Sequence, residues 1–197
     1  RYGHIDKVFL ADGDALAAPV DFLTEVLDAI AAILPQCRRV SCYATHLNIK
    51  KKTPDELKRL ASKSLKLLYL GVESGDDETL KFIGKGTTAA EIIKLSYKVK
   101  EAEMELSATF ILGINGQERD YTQHAVKTGE IISKMYLTYA GLLTLQLEDG
   151  SRLTEAAALG KFTAANIEEI VKELKLILEN IRTNEMSGPV IFRSNHA

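Results

Sequence analysis

The sequence has 197 residues, 46% of them hydrophobic, enough apolar material for one well-filled domain. Its 25 Lys and Arg nearly balance its 27 Asp and Glu, and a net charge of −2 gives no electrostatic footprint for nucleic acid or a membrane surface. No apolar run approaches the ~20 residues of a membrane span, the opening residues lack the pattern of a signal peptide, and two cysteines suit a reducing compartment, the cytoplasm, better than a disulfide framework.

Val8 to Leu10 is the first expected strand, followed by the loop Ala11-Asp12-Gly13-Asp14. The strand begins almost at once, as expected of a domain whose beginning lies upstream of Arg1. A helix is expected from about Pro19, tolerated in a first turn, to Leu34; Leu23, Val26, Leu27 and Ile30 lie on its apolar face. Arg39 to Ala44 reads as the second strand and holds Cys42, with Cys37 in the loop before it. Thr45, His46 and Asn48 read as the loop that follows, and the basic run Lys50 to Lys52 as solvated loop. Thr53-Pro54-Asp55-Glu56 joins a capping box to a proline at the first helical position. That helix ends near Lys63-Ser64, where glycine would be the easier stop.

Leu67 to Val72 has the length and composition of a strand buried on both faces. A glycine-flanked turn carrying Glu73 and Ser74 follows, then the acidic helix start Asp76-Asp77-Glu78 and breaks at Gly84 and Gly86. Thr88 to Glu91 is a second capping box, opening a helix to about Met104. Leu106 to Leu112 is strand four, ending in Gly113-Ile114-Asn115-Gly116; a helix from about Asp120 to Met135 leads to strand five, Ala140 to Leu147, and the turn Glu148 to Ser151. Ile167 to Ile181 is a long amphipathic helix. Five alternations of strand and helix predict an α/β fold with a parallel sheet in a single domain, its core at about 8–153 and a helical extension over 154–197. The strands then deliver polar residues to one rim, which in a full or partial barrel is the active face.

On that rim, Asp12 and Asp14 around Gly13 suit an amine or a metal, and equally a plain turn. Glu73 and Ser74 suit a ligand contact, and equally a solvated loop residue and a helix cap. The turn from Gly113 to Gly116 permits close backbone approach. His4, His46, His124 and His196 have no metal-ligand spacing; His46 reads as a solvated rim residue and His124 as part of a polar helix face. The spacing of CRRVSC fits neither zinc nor an iron–sulfur cluster, and no Ser/His/Asp or Cys/His arrangement can be argued.

The segments LADGDAL, LLYLGVESGDDETLKFIGKGTTAAE and FILGINGQE, in that order, resemble the radical S-adenosylmethionine (radical SAM) superfamily. Within it the chain is similar to iron–sulfur oxidoreductases near the oxygen-independent coproporphyrinogen oxidases and the cobalamin-associated members, over about Val8 to Leu153. The resemblance implies a partial TIM-like (β/α)6 barrel, present here as about five βα units. It also implies S-adenosylmethionine lying across the strand ends on a four-iron–four-sulfur cluster. Reductive cleavage then gives methionine and a 5′-deoxyadenosyl radical that abstracts hydrogen from a small-molecule or unknown substrate, with electrons from a reductant such as flavodoxin or ferredoxin.

The implied cofactor contacts are Asp12, Gly13 and Asp14 at the methionine amino group, Thr45 at the next strand end, Glu73 and Ser74 at the ribose, and Lys85 at the cofactor carboxylate. Thr109, Gly113 and Leu145 fall on the strands that flank the adenine. Two features depart from the family pattern. Its CxxxCxxC motif is absent, and Asp12 stands where the family has glycine. The cluster cysteines are therefore expected upstream of Arg1 with a further strand, which makes the five strands family strands two to six and this fragment inactive alone. An ordinary barrel aldolase or isomerase using Glu73 as base, or a cluster-free nucleotide-binding or scaffold domain, would need no such segment.

Overall fold

The computed structural model describes residues 4–11 and 13–194; Asp12 and His196 lie outside the described residues. Among the described residues six strands form one sheet in chain order: β1 (Lys7–Leu10), β2 (Arg39–Ala44), β3 (Leu65–Glu73), β4 (Glu105–Leu112), β5 (Tyr139–Thr144) and β6 (Ile191–Ser194). Every neighbouring pair is parallel. The connections carry α1 (Val20–Ile33), α2 (His46–Lys51), α3 (Pro54–Ser62), α4 (Asp77–Phe82), α5 (Ala89–Glu101), α6 (Thr122–Lys134), α7 (Arg152–Ala158) and α8 (Ile167–Glu179).

Parallel strands joined in order by crossovers of one hand collect the helices on one side of the sheet. The core records that side. Val40, Cys42 and Ala44 of β2, Leu68, Leu70 and Val72 of β3, and Leu106, Ala108, Phe110 and Leu112 of β4 are buried in one cluster. The alternate residues Tyr69, Gly71 and Glu73 are only partly covered. Beyond Leu67, β3 therefore alternates instead of being buried on both faces, because its concave side meets side chains and no helix. Phe9, Tyr43 and Tyr69 pack edge to face there, with ring centroids 4.9 to 6.1 Å apart.

The expected count of five strands is one short. β6 pairs with β5 from Tyr139↔Ile191 to Leu142↔Ser194, so the segment 154–197 is not helical throughout. Four residues, Ile-Phe-Arg-Ser, are too few to show a strand period, and the ladder makes them a strand. α2 replaces the loop expected after β2. The Thr45 hydroxyl accepts from the Asn48 amide (3.3 Å), and Lys98 Nζ donates to the carbonyls of Ile49 (2.9 Å), Lys50 (3.0 Å) and Lys52 at the other end. Lys52 is buried, its ammonium on the Ala18 carbonyl, so the basic run is not uniformly solvated.

The capping box of α3 is complete. The Thr88 hydroxyl likewise accepts from the Glu91 amide, but the Glu91 carboxylate turns to Lys50 and Thr87, so only half of the second box forms. α3 leaves through Ser64 at φ +73°, the left-handed turn that a glycine would take without strain. Among the described residues no helix is long and apolar enough to cross a membrane.

His46 is buried in the first turn of α2, not solvated. Burial lowers its pKa from the ordinary 6.5, and the Lys85 ammonium lowers it further. The unfolded chain therefore takes up the proton more readily than the folded one. The stability this contributes is complete above pH 6.5 and is lost as pH falls from 6.5 towards the lowered value. Urea midpoints at pH 7.5 and 5.5 should show a smaller pH slope for His46→Gln than for wild type, and equal slopes would refute the assignment. Replacing Ser64 by glycine should stabilise the fold by about 1 kcal/mol, seen as a melting temperature higher by roughly 2–4 °C.

Candidate functional site

The carboxyl ends of β1 to β4 bring three clusters of polar side chains to one rim. The first joins two residues expected there. Asp14 Oδ2 accepts from the Thr45 hydroxyl (2.7 Å) and amide (3.3 Å) and from Asn48 Nδ2, while the other oxygen, Oδ1, is buried with no hydrogen-bond partner among the described residues. Thr45 thus caps α2 and holds Asp14 at the same time. Gly13 precedes them at φ +73° with nothing against its open side.

The second cluster is a charge pair. Lys85 Nζ donates to Glu73 Oε1 at 2.9 Å, and each side chain keeps 22% of its surface exposed. The register between β3 and β4 runs Gly71↔Thr109 and then Glu73↔Phe110, so β3 carries one extra residue, a bulge, where it reaches the rim. Glu73 itself sits at φ +71°, a conformation L-residues avoid at about 1–2 kcal/mol. Its carboxylate folds back over Gly71, where a Cβ would stand 2.3 Å from Oε1 and 3.3 Å from Lys85 Nζ. Any larger residue at 71 would displace the pair.

The third cluster is buried behind the rim. The Ser74 hydroxyl accepts from the Asp76 amide (2.9 Å) and meets His124 Nδ1 at 2.7 Å. His124 Nε2 lies 3.0 Å from Glu173 Oε1 without forming an aligned hydrogen bond. Both Glu173 oxygens accept from the Gly113 amide, at 3.1 and 3.0 Å. Ser74 and His124 are fully buried, and the cap of α4 is Asp76, not Ser74. A hydroxyl with no surface cannot reach a substrate, so Ser74, His124 and Glu173 do not form an acyl-transfer triad.

Sequence reasoning missed this chain because its members lie on separate elements. One signal was present: Glu173 interrupts the apolar stripe of Ile170 and Ile177 on α8. His124, expected on a polar helix face, has α8 packed over it. Of the adenine-flanking residues, Gly113 belongs to the third cluster, while Thr109 and Leu145 stand apart. Thr109 lies on the concave face between Gly71 and Gly141 in a row of small side chains, and Leu145 borders a cavity of about 260 Å³ with Ile111 and Gln146. A groove of about 710 Å³ lies on the outer side between α6, α8 and β6, lined mainly by apolar residues such as Ile132, Leu178, Val190 and Phe192.

The thiols do not suit a cluster. Burial pushes Cys42 up to about 12, with the Asp14 charge adding to it, and Cys37 Sγ lies against the Arg39 carbonyl at 3.6 Å. Among the described residues no three His, Cys, Asp or Glu side chains are grouped to hold a metal ion. On the rim, Asp14 keeps one unpartnered but covered oxygen, and Glu73 is held above a space that only glycine leaves open.

The family model of the radical SAM superfamily matches residues 1–128. The heme chaperone HemW of Bacillus subtilis (strain 168) is 22% identical over 125 residues, which cover 63% of this chain and 33% of HemW. An amino-terminally truncated Elp3 from Methanocaldococcus infernus superposes with a TM-score of 0.72 at 16% identity, over 96% of this chain and 47% of that one. Coproporphyrinogen III oxidase (HemN) from Escherichia coli, a radical SAM enzyme, does so with 0.67 at 12%, over 92% and 41%. The chain thus spans a third of HemW and less than half of either solved structure. It has the open parallel α/β sheet of these partial TIM-like barrels. With the match covering more than half of its residues, this chain belongs to the radical SAM superfamily.

Proposed function

We propose that the strand-end rim of this chain binds S-adenosylmethionine as part of a radical SAM oxidoreductase. The observation that carries the reading is Glu73: a carboxylate held at φ +71° on a β-bulge, above Gly71 and 2.9 Å from Lys85. Strained residues persist where the surroundings over-determine them, and they cluster at ligand sites. In this reading Glu73 accepts hydrogen bonds from the ribose hydroxyls and Lys85 turns to the cofactor carboxylate. Asp14, steadied by Thr45, takes the ammonium group together with Asp12 and Gly13, its Oδ1 being uncovered as the ligand enters. Thr109, Gly113 and Leu145 flank the adenine, and Ser74 supports the ribose contact from beneath.

Radical SAM enzymes in general cleave this cofactor reductively to a radical with electrons from a four-iron–four-sulfur cluster. The buried Cys42 and half-buried Cys37 do not suit that cluster, so its thiolates come from outside these 197 residues, and this chain alone is inactive. The whole protein would act in the cytoplasm on a small molecule, with a flavodoxin- or ferredoxin-type reductant. The likeness to HemW and HemN points to the coproporphyrinogen oxidase-like branch without naming a substrate.

Charge-assisted hydrogen bonds to a carboxylate contribute roughly 1.5–3 kcal/mol. In the full-length enzyme, Glu73→Ala should therefore weaken S-adenosylmethionine binding by about ten- to a hundredfold in calorimetric titrations, with the fold intact. Glu73→Gly should lose the same affinity while melting no lower than wild type, since glycine takes φ +71° freely. Full affinity in both variants would make Glu73 a loop residue and end the reading.

A further inference from the structure

We propose that His124 is a positioning residue, which locks the Glu73 turn to the Gly113 turn so that the two ligand-facing strand ends move as one body. The proposal deepens the S-adenosylmethionine reading and rests on it for the identity of the ligand. The chain of contacts runs Ser74, His124, Glu173, Gly113, with Ser74 0%, His124 0% and Glu173 1% exposed. Polar groups buried so deeply are costly unless each is partnered, and an apolar core would fill the same volume at lower risk. The network is hydrogen-bonded at both ends, Ser74 to His124 and Glu173 to Gly113, and closed in the middle by the 3.0 Å approach of His124 Nε2 to Glu173; directed buried contacts of this kind rigidify what they touch.

What it touches is the rim. Ser74 follows Glu73 directly, so fixing its hydroxyl fixes the peptide that holds Glu73 at φ +71°. Gly75 is tied to the same helix as His124, its amide donating to Thr128 Oγ1 at 3.1 Å. At the other end the Glu173 carboxylate grips the Gly113 amide. Gly113 is at φ +73°, and a Cβ there would lie 2.6 Å from Ile170 Cδ1, so α8 packs directly on this backbone. A second strut runs in parallel: Thr79 Oγ1 reaches Asn115 Oδ1 at 3.2 Å and Asp76 Oδ2 at 2.8 Å. The ends of β3 and β4 are thus joined through α4, α6 and α8, behind the face that meets the ligand.

Amide hydrogen exchange on the 197-residue chain tests the coupling without any ligand. Glu173→Gln keeps the side-chain volume and removes one acceptor oxygen; Ser74→Ala removes the opposite end. Glu173→Gln should speed exchange of the Asp76 amide about tenfold, and Ser74→Ala should do the same to the Gly113 amide, each across His124. Changes confined to the substituted side would overturn the coupling. In titrations of the full-length, cluster-loaded protein with S-adenosylmethionine, Glu173→Gln should bind about tenfold more weakly at a melting temperature within a few degrees of wild type. Wild-type affinity in that variant would overturn the positioning role while leaving the reading of Glu73 intact. No binding by the wild-type full-length, cluster-loaded protein would instead remove the ligand reading, and the positioning role with it.

Discussion

The parallel ladder is the constraint on which everything else depends. When six strands run in one direction, their carboxyl ends fall on one edge, and the loops that leave them share it without further instruction. An antiparallel partner anywhere between β1 and β5 would send one set of polar turns to the opposite edge. The ladder is maintained by burial on its convex side, where β2, β3 and β4 present Cys42, Leu70, Val72, Ala108 and Phe110 to the helices. The rim is positioned by residues that never reach it.

The polar interior is a second kind of support. Apolar packing fixes the layer spacing but is indifferent to small rotations of a turn, whereas directed contacts are not. The molecule places its buried directed contacts immediately beneath the rim: Ser74 with His124, Gly113 with Glu173, Thr79 with Asn115. On the concave side the aromatic Phe9, Tyr43 and Tyr69 and the small Gly71, Thr109 and Gly141 are not fully covered, which leaves that face open in front of the same rim.

Much of the fold was legible because it is periodic. β2 is found at the expected residues, and α3 starts where Thr53, Pro54 and Glu56 said it would. The elements that escaped are those with no period to show: α2 is closed by side chains from elsewhere, and β6 is made a strand by its neighbour. At the rim, local sequence identified the turns but not their partners. Glu73 and Lys85 were both visible as residues of interest, and their pairing depends on a bulge that no residue type announces. His46 and His124 were misjudged for one reason. A histidine's surroundings are set by packing, and Lys85 above the one and α8 over the other are brought there only by the tertiary fold.

β3 is longer than its neighbours require. It holds an extra residue at each end, one opposite the Val40–Ser41 step of β2 and one opposite the Thr109–Phe110 step of β4. In the language of insertions and deletions, this strand has slack. Loss of a residue near Lys66 would straighten the floor of the sheet and leave the rim in place. Loss of Val72 would also give an unbroken ladder, but it would carry the Glu73 carboxylate to the side of Phe110, into the helix-covered core. The two deletions look alike in an alignment, yet the first trims the scaffold and the second turns the carboxylate away from the face on which it stands.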